Sequence, residues 1–121
     1  MVKILMVEDS AFEREGIKNF LRKYNYIDVI EAVDGYEGVK KYKEQKPDLV
    51  LLDLKLPGMM NGFDVFREIR KINPSAKCIV VSINRSDDII KKAMEMGINY
   101  YIDKPVTESK LIPVIKEVLG K

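Results

Sequence analysis

The chain has 121 residues, of which 46% are hydrophobic and 33% are charged, a composition that suits one soluble domain of ordinary size. Its 21 Lys and Arg residues nearly balance its 19 Asp and Glu residues, so the charge gives no case for nucleic-acid or membrane binding. The single cysteine, Cys78, and the lack of histidine exclude an internal disulfide, histidine-dependent catalytic pairs and histidine or multi-cysteine metal sites. With no membrane-length apolar run and no signal-peptide pattern, we expect a cytoplasmic protein.

Short apolar runs alternate along the chain with stretches that have apolar residues at helical spacing. In chain order, alternating strand and helix from the start, the predicted elements are Val2–Val7, Ala11–Tyr24, Ile27–Ala32, Gly35–Gln45, Asp48–Asp53, Gly62–Ile72, Lys77–Ile83, Ser86–Met96, Asn99–Asp103 and Thr107–Leu119. Such alternation indicates a parallel sheet covered by helices on both faces. We expect an α/β fold with a doubly wound five-stranded parallel sheet in the order 2-1-3-4-5, formed by residues 1–121 as a single domain.

Two helices carry features that bear on their packing. The apolar residues at helical spacing in the first helix begin with Phe12, and Gly97 after the fourth helix is placed as a C′ glycine. Pro113 lies beyond the first turn of the last helix, where it removes a backbone hydrogen bond and crowds the preceding turn. We therefore expect a kink, a late start or a break around Ser109–Pro113.

Acidic side chains end the two strands that flank the switch point of the predicted sheet. Glu8 and Asp9 follow the first strand, and Asp53 ends the third. Ligands of open parallel sheets bind beyond the carboxyl ends of the strands at this point, so three carboxylates should converge in one crevice. Like charges so close together repel one another unless a cation lies among them. Oxygen ligands without histidine or thiolate indicate Mg²⁺, or a similar hard ion such as Mn²⁺.

The neighbouring strand ends supply a hydroxyl group and an ammonium group. Ser82 ends the fourth strand, and Lys104 follows the fifth. A divalent cation, a lysine and a hydroxyl are the usual parts for holding a phosphoryl group, and an aspartate in such a site can form an acyl phosphate. Singly, each residue has an ordinary reading, for example Asp9 or Ser10 as a helix cap. Together, four strand ends at one edge favour a phosphoryl-transfer site.

Over essentially its whole length, the sequence resembles a response-regulator receiver domain of the CheY-like superfamily, which has a flavodoxin-like three-layer sandwich fold. The resemblance rests on the acidic pair in VEDSAFERE, on DLVLLD followed by DLKLPG, on IVVS and on YYIDKP. It implies that Asp53 is the phosphoacceptor and that Glu8, Asp9, Asp53 and the backbone carbonyl of Lys55 hold Mg²⁺.

The resemblance also implies a switch around the phosphoryl group. Lys104 would pair with the phosphoryl oxygens, Ser82 would hydrogen-bond to one of them, and Tyr101 would be the aromatic residue that turns inward. The bond before Pro105 would be cis. Phosphorylation adds about −1.5 to −2 charges, which can bias a two-state arrangement of the nearby loops.

The resemblance implies partners as well. The phosphodonor would be the phosphohistidine of a sensor histidine kinase or of a phosphotransfer protein, and the chain would catalyse its own aspartyl phosphorylation and dephosphorylation. A downstream protein would bind the face formed by the fourth helix, fifth strand and fifth helix. If the chain is complete, it acts by binding a partner or relaying phosphate, with no nucleic acid and no membrane involved.

Two departures from the family pattern lie beside the site. The family usually has a glycine eight residues after the phosphoacceptor, whereas Gly62 lies nine residues after Asp53. One residue is therefore inserted in this loop, and we expect a bulged or remodelled loop from Gly58 to Asn61. The residue after the hydroxyl is Ile83 where the family has alanine or glycine. If Ile83 overhangs Asp53, it narrows access for small phosphodonors and water.

Three other functions lack their sequence features in this chain, and a fourth does not. A flavodoxin-like electron carrier needs a Ser/Thr/Gly-rich loop where this chain has Glu8 and Asp9, and the P-loop motif is absent. An aspartate-nucleophile phosphatase needs a second acid where this chain has Lys55. The remaining alternative is a degenerate receiver that acts as a phosphorylation-independent binding module. Ile83 and the inserted loop residue leave it open.

Overall fold

The structure is a computed structural model that describes residues 1–83 and 86–120. Its strands are β1 (Lys3–Val7), β2 (Asp28–Ala32), β3 (Leu49–Asp53), β4 (Cys78–Ser82) and β5 (Tyr101–Asp103). Its helices are α1 (Ala11–Lys23), α2 (Gly35–Gln45), α3 (Gly62–Ile72), α4 (Asp87–Glu95) and α5 (Glu108–Leu119). The strands are all parallel and lie in the order β2-β1-β3-β4-β5, which confirms the predicted fold.

The helices cover both faces of the sheet, so the central strands are buried on both sides. Ile17 of α1 and Ile115 of α5 pack on one face against alternate residues of the strands. Tyr42 of α2, Phe66 of α3 and Ala93 of α4 pack on the other. Burial on both faces explains why β3 and β4 are continuous apolar runs. Among the described helices, none has the length and hydropathy needed to cross a membrane.

Side-chain caps fix where each helix begins, and these helix starts lie near the carboxyl edge of the sheet. In each case the capping oxygen accepts a hydrogen bond from a backbone N–H of the first turn. The five N-cap residues are Ser10, Asp34, Asn61, Ser86 and Thr107. At the other end of α4, Gly97 has φ of +91° and follows the C-cap Met96, as predicted for a C′ glycine.

The last helix is continuous through its proline. Helix α5 starts directly after its cap, Thr107, and runs without a break to Leu119, so the expected late start and break around Ser109–Pro113 were wrong. Pro113 lies on the exposed side of the helix. Its neighbours Ile112 and Ile115 are buried against the sheet, and this burial holds the helix together despite the missing N–H group.

Candidate functional site

The register of the central strands brings two carboxylates level at the carboxyl edge. Val7 at the end of β1 lies opposite Leu52 of β3. The next residues, Glu8 and Asp53, are therefore neighbours across the β1–β3 pair. Both are buried, at 3% and 6% exposure. Burying two acidic groups is costly unless they have charged or hydrogen-bonding partners, so their environment decides what they can do.

The β4–β5 pair places the hydroxyl and the ammonium one step further along the same edge. Ser82, the buried last residue of β4, lies opposite Asp103, and Lys104 follows. The Lys104 amide donates a hydrogen bond of 3.0 Å to the Ser82 carbonyl, which extends the pairing beyond the strand. The peptide bond between Lys104 and Pro105 is cis, as the resemblance implies.

Lys104 is the centre of the site. Its Nζ donates to Glu8 Oε1 at 2.7 Å, to Asp53 Oδ2 at 2.8 Å and to Glu13 Oε2 at 3.0 Å. An ammonium group has three N–H donors, so these three carboxylates use all of them. The other oxygen of Asp53, Oδ1, accepts the backbone N–H of Lys55 at 3.1 Å. Asp53 is thus held from both sides in a fixed orientation.

Burial and the ion pairs oppose each other in setting the pKa values of this cluster. Burial raises the pKa of Glu8 from 4.5 to about 7, although the hydrogen bond from Lys104 lowers it. Burial lowers the pKa of Lys104, but its bonds to Asp53, Glu8 and Glu13 outweigh burial and raise it. Lys104 therefore stays charged, and one positive charge balances only part of the negative charge around it.

The cluster of three carboxylates around Lys104 is suited to binding a hard cation. Among the residues that the structure describes, Glu8, Glu13 and Asp53 each offer an oxygen, and these oxygens lie within 4.8 Å of one another. Carboxylate oxygens are the donors that Mg²⁺ and Mn²⁺ prefer. Asp9, expected in this group, is exposed and does not belong to it, yet Asp9 and Lys55 line the same pocket of about 430 Å³ above Asp53.

Glu13 is the site residue that the sequence did not reveal. It lies three residues after the N-cap Ser10, in a Ser-x-x-Glu pattern that predicts a capping box. Half of that box forms, because the Glu13 N–H donates to Ser10 Oγ at 3.2 Å. The other half does not, since the Ser10 N–H donates to Glu8 Oε2 at 3.0 Å instead. The Glu13 carboxylate therefore takes no part in the cap and instead accepts a hydrogen bond from Lys104.

The loop between Asp53 and α3 closes tightly on Asp53 and bends outward at its tip. The Gly62 N–H donates to the Leu54 carbonyl at 2.9 Å. Asn61 caps α3 in a full capping box with Asp64. Between these fixed ends, Gly58 has φ of +84°, a value that favours glycine, and Met59 is 91% exposed. This is the form of the loop from Gly58 to Asn61.

Three large apolar side chains in the segments next to the site are exposed. Phe12 at the start of α1 is 88% exposed and lines a pocket with Glu13 and Lys104. Ile83, after β4, is 70% exposed and lines the pocket above Asp53. Met59 lies in the loop between Asp53 and α3. We call these three residues the apolar rim: Phe12, Met59 and Ile83.

The fold and this edge of the sheet define a class of protein: a doubly wound receiver with a carboxylate–lysine cluster at its switch point. The model of the response regulator receiver domain matches residues 4–116 of this chain. The chain therefore belongs to the response-regulator receiver domain family, and it is a receiver of the CheY-like kind.

Relatives and solved structures agree with this assignment. The chain is 39% identical over 116 residues to chemotaxis protein CheY of Thermotoga maritima, covering 96% of each protein. It is 36% identical over 120 residues to protein CcdB of Bacillus subtilis, covering 99% of each. Among solved structures, a CheY-like receiver domain protein from Methanospirillum hungatei has a TM-score of 0.91 at 31% identity, with 99% of this chain and 94% of that one covered. The CheX-CheY-BeF3-Mg²⁺ complex from Borrelia burgdorferi has a TM-score of 0.92 at 26% identity, with 99% and 90% covered.

Proposed function

We propose that this chain is a phosphorylation-activated switch of a two-component system, which accepts a phosphoryl group on Asp53 in a Mg²⁺-dependent reaction. The observation that carries the proposal is the setting of Asp53. Its carboxylate is buried at the end of β3, is held by the Lys55 N–H and the Lys104 ammonium, and lines the pocket of about 430 Å³. An oriented carboxylate beside a fixed ammonium suits nucleophilic attack on a phosphoryl donor.

In the proposed transfer of the phosphoryl group, the bond formed to Asp53 replaces a bond broken in the donor. An oxygen of Asp53 forms a bond to phosphorus as the phosphorus–nitrogen bond of a phosphohistidine breaks, and the imidazole leaves with the electron pair and takes up a proton. Lys104 is within reach of the charge that develops on the phosphoryl oxygens. Hydrolysis of the resulting acyl phosphate restores the Asp53 carboxylate. The chain would thus catalyse both its own phosphorylation and its own dephosphorylation.

Glu8, Asp9, Asp53 and the Lys55 carbonyl would hold the cation. When bound, Mg²⁺ supplies charge neutralisation between the carboxylates and the incoming phosphoryl group. Two of these residues, Glu8 and Asp53, lie in the group of close carboxylates, and Asp9 and Lys55 line the pocket above it. Asp9 has to turn inward by side-chain rotation, which its exposed position allows.

Ser82 and Tyr101 would convert the chemical change into a conformational one. Ser82 is buried next to the strand position that follows Asp53, where a small shift of the loop after β4 brings its hydroxyl to a phosphoryl oxygen. Tyr101 begins β5 opposite Val80 and is half-buried against the core, so it borders the space that such a shift changes. These contacts exist only in the phosphorylated state and bias a two-state equilibrium.

The partners would bind two different surfaces. A sensor histidine kinase or phosphotransfer protein would approach Asp53 through the pocket that Ile83 lines, where the exposed side chains of the apolar rim offer it contacts. A downstream protein would bind the face of α4, β5 and α5. The complex from Borrelia burgdorferi, which unites a CheY with CheX, BeF3 and Mg²⁺, supports a role in binding proteins. The protein would act in the cytoplasm.

The proposal is tested by intact mass spectrometry after incubation with acetyl phosphate and Mg²⁺. We expect the gain of one phosphoryl group, lost with EDTA and lost in Asp53→Asn. The matched control is Asp48→Asn, which removes an aspartate at the other end of the same strand and should label like the unaltered protein. Labelling of Asp53→Asn would place the phosphoacceptor elsewhere.

If the unaltered protein is not labelled by acetyl phosphate, the same experiment on Ile83→Ala distinguishes two explanations. If neither the protein nor Ile83→Ala gains mass, the chain is a degenerate receiver and acts as a phosphorylation-independent binding module. If Ile83→Ala gains mass and the unaltered protein does not, the site is competent but Ile83 closes it to small phosphodonors. These outcomes separate the proposed switch from its alternative.

A further inference from the structure

Lys104 has no N–H donor left in the resting structure. Its three donors are bonded to Glu8, Asp53 and Glu13 at 2.7–3.0 Å. To bond to a phosphoryl oxygen on Asp53, Lys104 has to give up one of these carboxylates. Which carboxylate it releases determines how strongly the resting state resists phosphorylation.

The three bonds are unequal in what their loss costs. The Glu8 side chain is 4% exposed, so its carboxylate would be left in a poorly solvated place without Lys104. Asp53 itself carries the phosphoryl group, so Lys104 has to stay beside it. The Glu13 side chain is 38% exposed and lies in the first turn of α1, where water and the helix N-terminus can stabilise its charge. Glu13 is therefore the partner that Lys104 can release at the lowest cost.

The backbone around Glu13 also fits this role. Because Glu8 accepts the Ser10 N–H, Glu13 is not needed to complete the cap of α1. Its own N–H stays bonded to Ser10 Oγ, which fixes the position of its backbone while its carboxylate is free to move between Lys104 and solvent. The carboxylate can change partners without any change in the helix.

We propose that Glu13 is a positioning residue that holds Lys104 in the unphosphorylated state and competes with the phosphoryl oxygens for one N–H donor. The proposal rests on the proposed function of Asp53 and adds a residue that sets the balance between the two states. Loss of the Glu13–Lys104 bond frees that donor in advance and favours the state in which Lys104 contacts the phosphoryl group.

The test measures the affinity of the protein for BeF3⁻ in the presence of Mg²⁺, by fluorine NMR titration. This anion coordinates a carboxylate oxygen as a tetrahedral substitute for a phosphoryl group, and its reversible binding gives an equilibrium constant. Glu13→Gln replaces the charged acceptor with a neutral amide oxygen, which holds an ammonium group more weakly, so we expect a dissociation constant lower by about threefold to fivefold, the size of a partly exposed ion pair. The matched control is Glu15→Gln, which removes the same charge from the same helix but from a residue that pairs with Lys18 and Arg22.

A second variant separates the hydrogen bond from simple charge repulsion. Glu13→Asp keeps the negative charge but is one methylene shorter, so it cannot reach Lys104 from the same backbone position. Competition for the donor predicts that Glu13→Asp binds BeF3⁻ as tightly as Glu13→Gln. If Glu13→Asp behaves like the unaltered protein, repulsion explains the effect and the proposal is wrong.

An independent readout comes from the protein without Mg²⁺ or BeF3⁻. The Lys104 Nζ resonance, assigned by its absence in Lys104→Ala, should shift in Glu13→Gln and Glu13→Asp but stay in place in Glu15→Gln. Equal BeF3⁻ affinity in all variants, or weaker binding in Glu13→Gln, overturns this proposal alone and leaves labelling of Asp53 as the test of the proposed function. No BeF3⁻ binding by any variant, together with no labelling by acetyl phosphate, overturns both.

Discussion

Gly62 lies directly against the backbone of Asp53. A Cβ atom at position 62 would lie 2.3 Å from the Asp53 carbonyl oxygen and 2.6 Å from the Leu54 Cα atom, distances at which the backbone has to move. The Gly62 N–H also donates to the Leu54 carbonyl. The start of α3 is thus fixed to the end of β3, and this contact holds β3 and the loop that follows it together.

Gly62→Ala should therefore destabilise the protein. Forcing a methyl group into backbone atoms costs about 1–3 kcal/mol or more, because neither Asp53 nor Leu54 can move without disturbing the sheet. The measurement is the free energy of unfolding in urea. The matched control is Gly16→Ala, since no atom lies within 4 Å of a Cβ there and an alanine within a helix should stabilise it by up to about 1 kcal/mol. Equal stability of Gly62→Ala and the unaltered protein would contradict the close approach.

The stability of the metal-free protein should depend on pH through Glu8. Its pKa in the folded protein, about 7, lies above the ordinary value of 4.5, so the folded state holds a proton that the unfolded state has lost between these values. The resulting stabilisation is present in full below pH 4.5 and is lost as the pH rises to about 7. Since 1 pKa unit corresponds to about 1.4 kcal/mol, the loss is at most about 3–4 kcal/mol.

The pH dependence is measured by urea unfolding in EDTA, with Glu8→Gln as the reference. The difference in unfolding free energy between the unaltered protein and Glu8→Gln should fall as the pH rises from 4.5 to 7 and stay constant above it. Glu44→Gln, which removes an exposed acid from α2, should show no such trend relative to the unaltered protein. A difference that is flat with pH would show that Lys104 keeps Glu8 ionised throughout.

The sequence was sufficient for the sheet order and for the strand ends, because both follow from the alternation of elements. Glu8, Asp53 and Lys104 meet since the carboxyl ends of parallel strands share one edge, whatever the details of packing. The extra cluster member, Glu13, could not be found in this way. Its local pattern is that of a capping box, and only the three-dimensional position of Glu8 shows that the cap is completed by another residue.

One error has the same origin. Local rules predicted disruption of the last helix at Pro113, yet the buried residues of α5 outweigh the lost hydrogen bond. Tertiary packing overrides a local rule here, and the sequence of one element does not contain that information.

Pro113→Ala should stabilise the protein. Within α5 a residue at this position would donate its N–H to the carbonyl of Ser109, and proline lacks this donor. Since Pro113 is exposed, the substitution loses little packing, and we expect a gain of about 1–3 kcal/mol, reduced by the greater freedom of alanine in the unfolded chain. Urea unfolding measures the gain, with Glu117→Ala on the same helix as a control that should change stability by less than about 0.5 kcal/mol. A loss of stability in Pro113→Ala would mean that the ring makes a contact that α5 needs.

Ile83→Ala should open the pocket above Asp53. Ile83 is largely exposed yet lines this pocket together with Asp9, Lys55 and Lys104, so its side chain lies at the entrance and not in the core. Shortening it should raise both the rate of labelling by acetyl phosphate and the rate of dephosphorylation by about twofold to fivefold, equivalent to about 0.5–1 kcal/mol in each barrier. If water and acetyl phosphate both pass Ile83, the phosphorylated fraction at steady state changes less than either rate.

Intact mass spectrometry over time gives both rates. Ile27→Ala is the control, since it shortens an exposed isoleucine just before β2, at the opposite edge of the sheet. Acceleration in Ile83→Ala but not in Ile27→Ala would establish that Ile83 restricts access to Asp53. If only labelling accelerates, water reaches Asp53 by a path that Ile83 does not border, and if neither rate changes, Ile83 lies beside the entrance without narrowing it.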